Sequence, residues 1–498
     1  MNSLSNAVDP SRPVSAFPKQ AIVVIHGMGE QVPMDTLRGF VRAVWETDTE
    51  ITKNGLPNPA EVWSKPDLRT GSLELRRITT RQSIPTQNFA KGVRSDFYEM
   101  YWADLSSGST LGQVEDWIRG LLLRNPFTRV PRDVFLAWCL LWILTLVVLT
   151  FAIATTLPAK AALWGIRFWD YPPLSWLSDW QSWQLALATG FFGFVLNGFV
   201  VPYFGRVVRY TRATPDNIAA RKNIRERGLA LLSDLHNGDY DRVIIVGHSL
   251  GSILAYDLIS YFWATRTAPR TVVEGTPEFA ALRDLEQVLK DTADLSSQDA
   301  AQKFDPVRRA FCRALRSRPR PAAGAVDGRW LITDLVTLGS PLGHADFLLA
   351  KSAKDLAKRR ADRDLPTSPP LRELLDPEGV PKAKAAGLPI DPERPQLLCF
   401  PFGSKGEWQL HHAAPFAAVR WTNVHDPARL VFFGDVISSP VARAFGSGVM
   451  DIDLRAERGQ SLRFSHTRYW WMPKSGGQTP KHVEILRRVL DLAGTRGF

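Results

Sequence analysis

Ser249 has the sequence surroundings of an activated nucleophile. It lies in residues 247–251, Gly-His-Ser-Leu-Gly, after the β-branched run 243–246 and before the helix-like stretch 252–258. A strand, Gly-x-Ser-x-Gly and a helix together predict a nucleophile elbow, a tight turn that holds the serine hydroxyl in the open. The amide groups at the start of the following helix would point at the same place and could stabilise an oxyanion.

A serine hydroxyl attacks an acyl carbonyl only when a neighbouring base takes its proton. Of the nine histidines, His466 is a candidate base because it lies late in the chain, in a loop-like setting before the aromatic residues 469–471. His26 and His248 belong to the turns that flank the site, where we expect them to shape it. Asp435, in a Gly-Asp-Val turn, and Asp426, directly after the probable strand 418–424, are alternative acids that could hold the imidazole.

The elements around these residues predict an α/β fold. Short apolar strands are expected at 21–25, 97–102 and 331–338, and a helix at 223–235 before the strand that carries the elbow. Glycine turns follow several of the strands. This alternation predicts a mostly parallel sheet flanked by helices, with the site beyond the carboxyl ends of the strands.

Two uncharged runs indicate membrane contact. Residues 134–157 are nearly all apolar and long enough to cross a bilayer, and a second span is expected at about 183–204. Arginines flank the pair on both outer sides, so the positive-inside bias predicts cytoplasmic flanks; they are Arg119, Arg124, Arg129, Arg132, Arg206, Arg209 and Arg212. The alternative is a hairpin buried in a protein core, although core helices seldom run so long without a charge.

We therefore divide the chain into six parts. A disordered tail, 1–19, with no secretory signal, precedes a first catalytic-domain segment, 20–130, and the transmembrane hairpin, 131–205. The elbow segment, 206–270, is followed by a helical insertion, 271–330, which could be a lid over the site or a decoration away from it. The remainder, 331–498, contains the candidate acids and His466.

Charge and cysteine content narrow the function classes. The formal net charge is +11 and the isoelectric point about 9.6, but the basic residues are scattered or flank the predicted spans, so we expect no nucleic-acid partner. Three cysteines without paired spacing favour a reducing compartment. No pattern indicates a metal or an organic cofactor, and a serine-based site needs neither.

Five segments together resemble the α/β-hydrolase superfamily, in particular its lipase-like and esterase-like serine hydrolases. They are 26–29 (His-Gly-Met-Gly), 247–251, 337–341 (Thr-Leu-Gly-Ser-Pro), 434–440 (Gly-Asp-Val-Ile-Ser-Ser-Pro) and 465–470 (Ser-His-Thr-Arg-Tyr-Trp). The resemblance covers roughly 20–105, 206–263 and 331–471, and leaves the hairpin and the helical insertion as additions.

The resemblance implies a triad that runs serine, acid, histidine along the chain. Ser249 is then the nucleophile, Asp435 the favoured acid with Asp426 as the alternative, and His466 the base. It also implies an oxyanion hole formed by the backbone amides of Leu250 and Met28.

These expectations combine into a membrane-anchored serine hydrolase with a cytoplasmic catalytic domain. It would cleave carboxylic esters through an acyl-enzyme, and anchoring favours a lipid-derived substrate. Two alternatives stay open: an acyltransferase or thioesterase with the same triad, and a non-catalytic membrane scaffold of the same fold. The oligomeric state is not predicted.

Overall fold

A computed structural model describes most of the chain outside the predicted hairpin. The described residues are 18–27, 32–51, 61–71, 74–106, 215–292, 297–321, 327–404, 406–427, 434–435, 437–455, 466–473 and 478–497, with isolated positions between 122 and 191. Residues 1–17 of the predicted tail, Met28 and most of both predicted spans lie outside this set. The chain divides into two compact units, one of 1–27, 31–102 and 222–498, the other of 28–30 and 103–221.

The first unit is built on an eight-stranded sheet in the order β13-β12-β7-β5-β1-β4-β3-β2. The strands of the described chain are β1 (Lys19–Ile25), β2 (Val62–Pro66), β3 (Arg76–Gln82), β4 (Arg94–Glu99), β5 (Arg242–His248), β6 (Thr271–Val273), β7 (Ile332–Leu338), β8 (Glu373–Leu374), β9 (Gln396–Leu397), β10 (Cys399–Pro401), β11 (Glu407–Leu410), β12 (Arg420–His425) and β13 (Val449–Asp453). Strands β6, β10 and β11 form a small antiparallel sheet, and β8 pairs with β9.

Neighbouring strands from β13 to β4 are parallel, and only β3 and β2 at one edge are antiparallel. The strand predicted at 97–102 lies three residues earlier in the chain than expected, since β4 runs from Arg94 to Glu99. After β1 the chain goes to β2 at one edge, returns through β3 to β4 beside β1, and then crosses to β5 on the other side of β1. The carboxyl ends of β1 and β5 therefore form a topological switch point, where α/β proteins place their sites.

Helices cover both faces of the sheet. They are α1 (Asp35–Val41, continued by the π-helical turn Arg42–Glu46), α2 (Pro215–His236), α3 (Leu250–Thr265), α4 (Thr267–Arg270), α5 (Pro277–Asp291), α6 (Ser297–Arg316), α7 (Ala345–Leu348), α8 (Ala353–Ala361), α9 (Gly379–Ala385), α10 (Ala442–Phe445) and α11 (Lys481–Leu490). The mostly parallel, helix-flanked α/β class predicted from the sequence is confirmed.

Strand alternation explains how the two faces are filled. Ile22 and Ile244 pack in one apolar cluster with α1 and α11. Val23 and Ile245 point the other way because successive side chains alternate in a strand; they are also fully buried, and α3 contacts β1, β5 and β7. Burial on both faces accounts for the continuous apolar run of β5.

The predicted helical insertion folds as β6, α5 and α6. Arg316 of α6 donates to the carbonyl of Asp241, just before β5, at 3.3 Å. Arg308 donates to the carbonyl of Ala418, just before β12, at 3.4 Å. These contacts hold α6 at the amino ends of the strands, whereas a lid would lie over their carboxyl ends.

No helix within the described residues is both long enough and apolar enough to cross a membrane. The spans predicted at 134–157 and 183–204 have most of their residues outside that set.

Candidate active site

Ser249 lies in the turn between β5 and α3 with a backbone conformation that only a constrained turn imposes. Its φ is 52° and its ψ is −127°, a region that costs a non-glycine residue about 1 to 3 kcal/mol. The Ser249 amide donates to the carbonyl of Leu338 in β7 at 2.9 Å, and the Ser249 carbonyl accepts from the Ser252 amide at 2.9 Å. Both sides of the strained residue are thus fixed.

The glycines of the motif are required by close backbone approach. A Cβ on Gly251 would lie 2.5 Å from the carbonyl oxygen of His26, and one on Gly247 would lie 2.6 Å from the Cα of Ser252. A Cβ on Gly27, at the end of β1, would lie 2.8 Å from that of Ser249. The turn after β1 and the turn after β5 therefore touch.

Ser249, His466 and Asp435 form one hydrogen-bonded chain. The Oγ of Ser249 is 2.9 Å from Nε2 of His466, and Nδ1 of His466 is 2.9 Å from Oδ2 of Asp435. The three residues are 1%, 8% and 0% exposed. With Nδ1–H donating to the carboxylate, Nε2 can accept the serine proton, which is the arrangement that activates a hydroxyl for nucleophilic attack.

Asp435 is held as a carboxylate by several donors. Its Oδ1 accepts from the amides of Ile437 at 2.9 Å and Ser438 at 3.2 Å. Its Oδ2 accepts from the hydroxyl of Tyr469 at 2.7 Å as well as from His466. Burial by itself raises the pKa of Asp435, but the hydrogen bonds from His466 and Tyr469 outweigh it and leave the pKa below its ordinary value. The group therefore stays charged next to the imidazole.

Asp426, the alternative acid, lies beside Asp435 but is not the carboxylate hydrogen-bonded to His466. Its carbonyl accepts from the amide of Asp435 at 2.8 Å, and its amide donates to the hydroxyl of Ser438 at 3.2 Å. It is 3% exposed. Asp426 thus supports the loop that carries Asp435.

His248 packs against the base and supports it through the backbone. Its Nε2 lies 2.7 Å from the carbonyl of His466, and its ring meets that of Trp470 edge-on at 4.9 Å. Burial, and then the nearby His466 ring, lower the pKa of His248 to about 3. The neutral ring can donate Nε2–H to that carbonyl and so fix the loop that presents His466.

His26 has the shaping role expected for it at the end of β1. Its ring stacks on Trp102, with ring centres 5.3 Å apart and planes 4° from parallel. The Trp102 amide donates to Nε2 of His26 at 3.3 Å, and the Trp102 indole donates to the His26 carbonyl at 3.0 Å. These contacts tie the turn after β1 to the segment after β4.

Of the two proposed oxyanion donors, the Leu250 amide lies within the described part of the chain. Leu250 is the first residue of α3, and its amide is one of those that have no acceptor within the helix. It is directly adjacent to Ser249, on the side where a nucleophile elbow stabilises negative charge. Met28 lies outside the described residues.

Two supporting residues were not identified from the sequence. In the sequence Tyr469 is only part of an aromatic run, although a phenol hydroxyl three residues after His466 is a usable signal. The bond from His248 to the His466 backbone joins positions far apart in the chain and leaves no local pattern. Within the described residues no group of three or more His, Cys, Asp or Glu side chains could hold a metal ion.

No family model matches the chain, and neither a curated protein nor a solved structure is detectably similar to it.

Proposed function

We propose that the protein is a serine hydrolase of the α/β-hydrolase superfamily that cleaves carboxylic esters, held at a membrane with its catalytic domain in the cytoplasm. The observation that carries the proposal is the unbroken chain from the Ser249 hydroxyl through His466 to the Asp435 carboxylate. The strained backbone of Ser249 adds to it, because strain of this kind clusters at functional sites.

The first half of the reaction follows from these contacts. Ser249 Oγ attacks the ester carbonyl while Nε2 of His466 takes the hydroxyl proton. Asp435 stabilises the resulting imidazolium through Nδ1–H. Negative charge that develops on the carbonyl oxygen is met by the Leu250 amide and the N-terminus of α3. His466 then returns the proton to the departing alkoxide, which leaves an acyl group on Ser249.

The second half repeats the steps with water. Nε2 of His466 takes a proton from a water molecule that attacks the acyl carbonyl, and the proton passes to Ser249 Oγ as the acid departs. An alcohol or thiol in place of water would give acyl transfer by the same residues, and a thioester substrate would make the enzyme a thioesterase.

Membrane attachment is supported by the two uncharged runs and their arginine flanks. Among the described positions of those runs, large apolar side chains are strongly exposed, including Ile143 at 58%, Leu187 at 65% and Phe191 at 63%. A lipid environment would cover such side chains. A substrate with an acyl chain of lipid origin fits an enzyme held at that surface.

The proposed chemistry is tested by labelling the detergent-solubilised full chain with a fluorophosphonate, which reacts with activated serines. We expect wild type to label and Ser249→Ala and His466→Ala not to label. The matched controls are Ser260→Ala, a serine on the same helix α3, and His412→Ala, an exposed histidine; both should label as wild type does. A folded wild type that never labels would contradict the enzyme and favour the scaffold.

Attachment to the membrane is tested separately by extracting membranes from producing cells with alkaline carbonate. Retention of the full chain in the pellet is expected if two spans anchor it. Complete release into the supernatant would overturn the anchor without affecting the proposed chemistry.

A further inference from the structure

A second polar cavity lies at the end of the sheet away from Ser249. Its volume is about 50 Å³, and its basic lining consists of Arg242, Arg308, Arg309, Arg313, Arg420 and Arg496. Arg242 begins β5 and Ser249 follows the end of the same strand. A seven-residue strand at about 3.3 Å per residue separates the two sites by roughly 20 Å, so the cavity is not part of the candidate active site.

Three carboxylates neutralise only part of this charge. Asp334 accepts from Arg242 at 2.6 Å and from Arg420 at 2.7 Å. Asp491 pairs with Arg496 at 3.3 Å, and Asp305 pairs with Arg308 at 2.7 Å and Arg309 at 3.0 Å. Within the part of the chain that the structure describes, six guanidinium groups and three carboxylates surround this small cavity, so positive charge is in excess there.

Part of this positive charge is held where water screens it poorly. The side chains of Arg242 and Arg420, which share the Asp334 carboxylate, are only 5% and 13% exposed. Burial, and then repulsion by the neighbouring Arg420, lower the pKa of Arg496. An anion in the cavity would relieve that repulsion and bring together side chains from α6, β5, β12 and the segment after α11.

The donor chemistry and the size of the cavity select the anion. Guanidinium groups are planar forks that bind carboxylate or phosphate oxygens in pairs. Forks that approach from several elements suit a tetrahedral group with three or four acceptor oxygens better than a planar one with two. One water needs about 10 to 15 Å³ of cavity volume. A cavity of about 50 Å³ therefore holds one phosphate-sized group but not a nucleotide.

We propose that this arginine cavity binds a phosphate-type oxyanion, the terminal group of a phosphate monoester. The monoester is either a small soluble compound or a lipid headgroup, since both present the same dianion to the cavity. The site is independent of the proposed ester hydrolysis, and Ser249→Ala should bind the anion as wild type does.

The test measures thermal unfolding of the detergent-solubilised full chain with inorganic phosphate, at ionic strength held constant with sodium chloride. A ligand at a hundred times its dissociation constant should raise the midpoint by about 3 °C in a chain of this size. Acetate, the planar comparison, should raise it less. No shift with phosphate beyond the chloride control, or an equal shift with acetate, would overturn the proposal.

A double variant and a matched control test whether phosphate binds in the arginine cavity. Arg309 and Arg313 are solvent-exposed at the mouth of the cavity, so Arg309→Gln/Arg313→Gln should fold and weaken phosphate binding at least about tenfold. Arg283→Gln, an exposed arginine on the neighbouring helix α5, is the matched control and should bind as wild type. Equal loss in the control and in the double variant would indicate general surface charge and contradict a defined site.

Mixed micelles of neutral detergent distinguish the two sources of the phosphate. Micelles with phosphatidic acid should bind at least about tenfold more tightly than inorganic phosphate if the ligand is a lipid headgroup, because the interface adds apolar contacts. Equal affinities would assign the cavity to a soluble phosphate compound. Phosphatidylcholine micelles, which present no phosphate monoester, serve as the blank.

Discussion

Strands β5, β7 and β12 carry buried polar groups at both of their ends, but the two ends neutralise them differently. At the carboxyl ends one carboxylate, Asp435, is matched by directional hydrogen bonds that run through His466 to Ser249. At the amino ends Asp334 is surrounded by guanidinium groups, and positive charge remains in excess. Neutralisation at the carboxyl ends depends on the direction of each hydrogen bond, whereas neutralisation at the amino ends depends on the sum of the charges.

Replacement of aspartate by the isosteric asparagine should have different effects at the two ends of the strands. Asp435→Asn keeps an oxygen for the amides of Ile437 and Ser438 but can no longer hold Nδ1–H of His466 in the required tautomer. We expect kcat for ester cleavage to fall about 10⁴-fold, with the unfolding midpoint within about 1 °C of wild type.

Asp426→Asn is the control for that variant, because the bonds from Asp426 to the Asp435 loop described above use its backbone carbonyl and amide, and asparagine keeps both. Its turnover should stay within about threefold of wild type, a difference of less than 1 kcal/mol in activation free energy. Loss of turnover in Asp426→Asn, with Asp435→Asn active, would assign the acid to the other carboxylate.

At the amino end, Asp334→Asn should show the opposite pattern. Burial alone raises the pKa of Asp334, but Arg420 and Arg242 together hold it well below its ordinary value, so the carboxylate is charged throughout the physiological range. Its removal takes the shared carboxylate away from Arg242 and Arg420 and should cost about 3 to 5 kcal/mol in the free energy of unfolding. Urea unfolding measures this loss, and kcat of the folded fraction should not change.

Two glycines test how closely the carboxyl end is packed. Gly339 and Gly275 both have positive φ, at 59° and 83°, so alanine costs about 1 kcal/mol at either. A Cβ on Gly339 would also lie 2.7 Å from the ring of Tyr469 and 2.9 Å from Oδ2 of Asp435, whereas nothing lies within 4 Å of one on Gly275. Gly339→Ala should therefore be less stable than Gly275→Ala by about 2 kcal/mol, measured by the shift in urea midpoint. Equal stabilities of the two variants would mean that the loop that carries Asp435 can shift to accommodate the added Cβ at little cost in free energy.

Per pH unit, the smallest expected effect is the pH dependence of stability caused by His248. Above about pH 6.5 the ring is neutral in both the folded and the unfolded chain. As the pH falls towards 3, the unfolded chain takes up a proton that the folded chain, with its lowered pKa, does not, so stability falls by about 1.4 kcal/mol per pH unit.

His248→Asn should remove this contribution and make the decline between pH 6 and pH 4 shallower than in wild type. His236 is fully buried, and burial also lowers its pKa to about 3, so its contribution persists in the variant as an internal reference. Identical pH slopes in wild type and His248→Asn would show that His248 is protonated in the folded protein.

The site at the carboxyl ends of the strands could be predicted from the sequence better than the cavity at their amino ends. Strand β5, the turn at Ser249 and helix α3 are contiguous, so a local pattern contains the whole elbow. The pairing of Ser249 with His466 came from the order of the triad in a resembling family. Asp435, in a Gly-Asp-Val turn, was favoured over Asp426, directly after a predicted strand, but both lie between β12 and β13, and the sequence does not show which of the two reaches the imidazole.

The arginine cavity could not be predicted because its residues have no shared local pattern. Arg242, Arg308 and Arg420 are widely separated in the chain and were counted among scattered basic residues. The sheet brings them together because β5 and β12 both pair with β7 and start at the same edge. Charge excess at that edge is a property of topology and register that composition does not reveal.

The contact between Arg227 and Tyr101 has a consequence for how the chain could have been assembled. Nη1 of Arg227, in the middle of α2, lies 3.0 Å from the carbonyl of Tyr101, just beyond β4. The sheet-bearing unit releases the chain at Trp102, next to Tyr101, and receives it again at Lys222, about 7.5 Å along α2 from Arg227. We therefore expect that a short linker of glycines and serines could join these two points in place of residues 103–221 and leave the sheet intact.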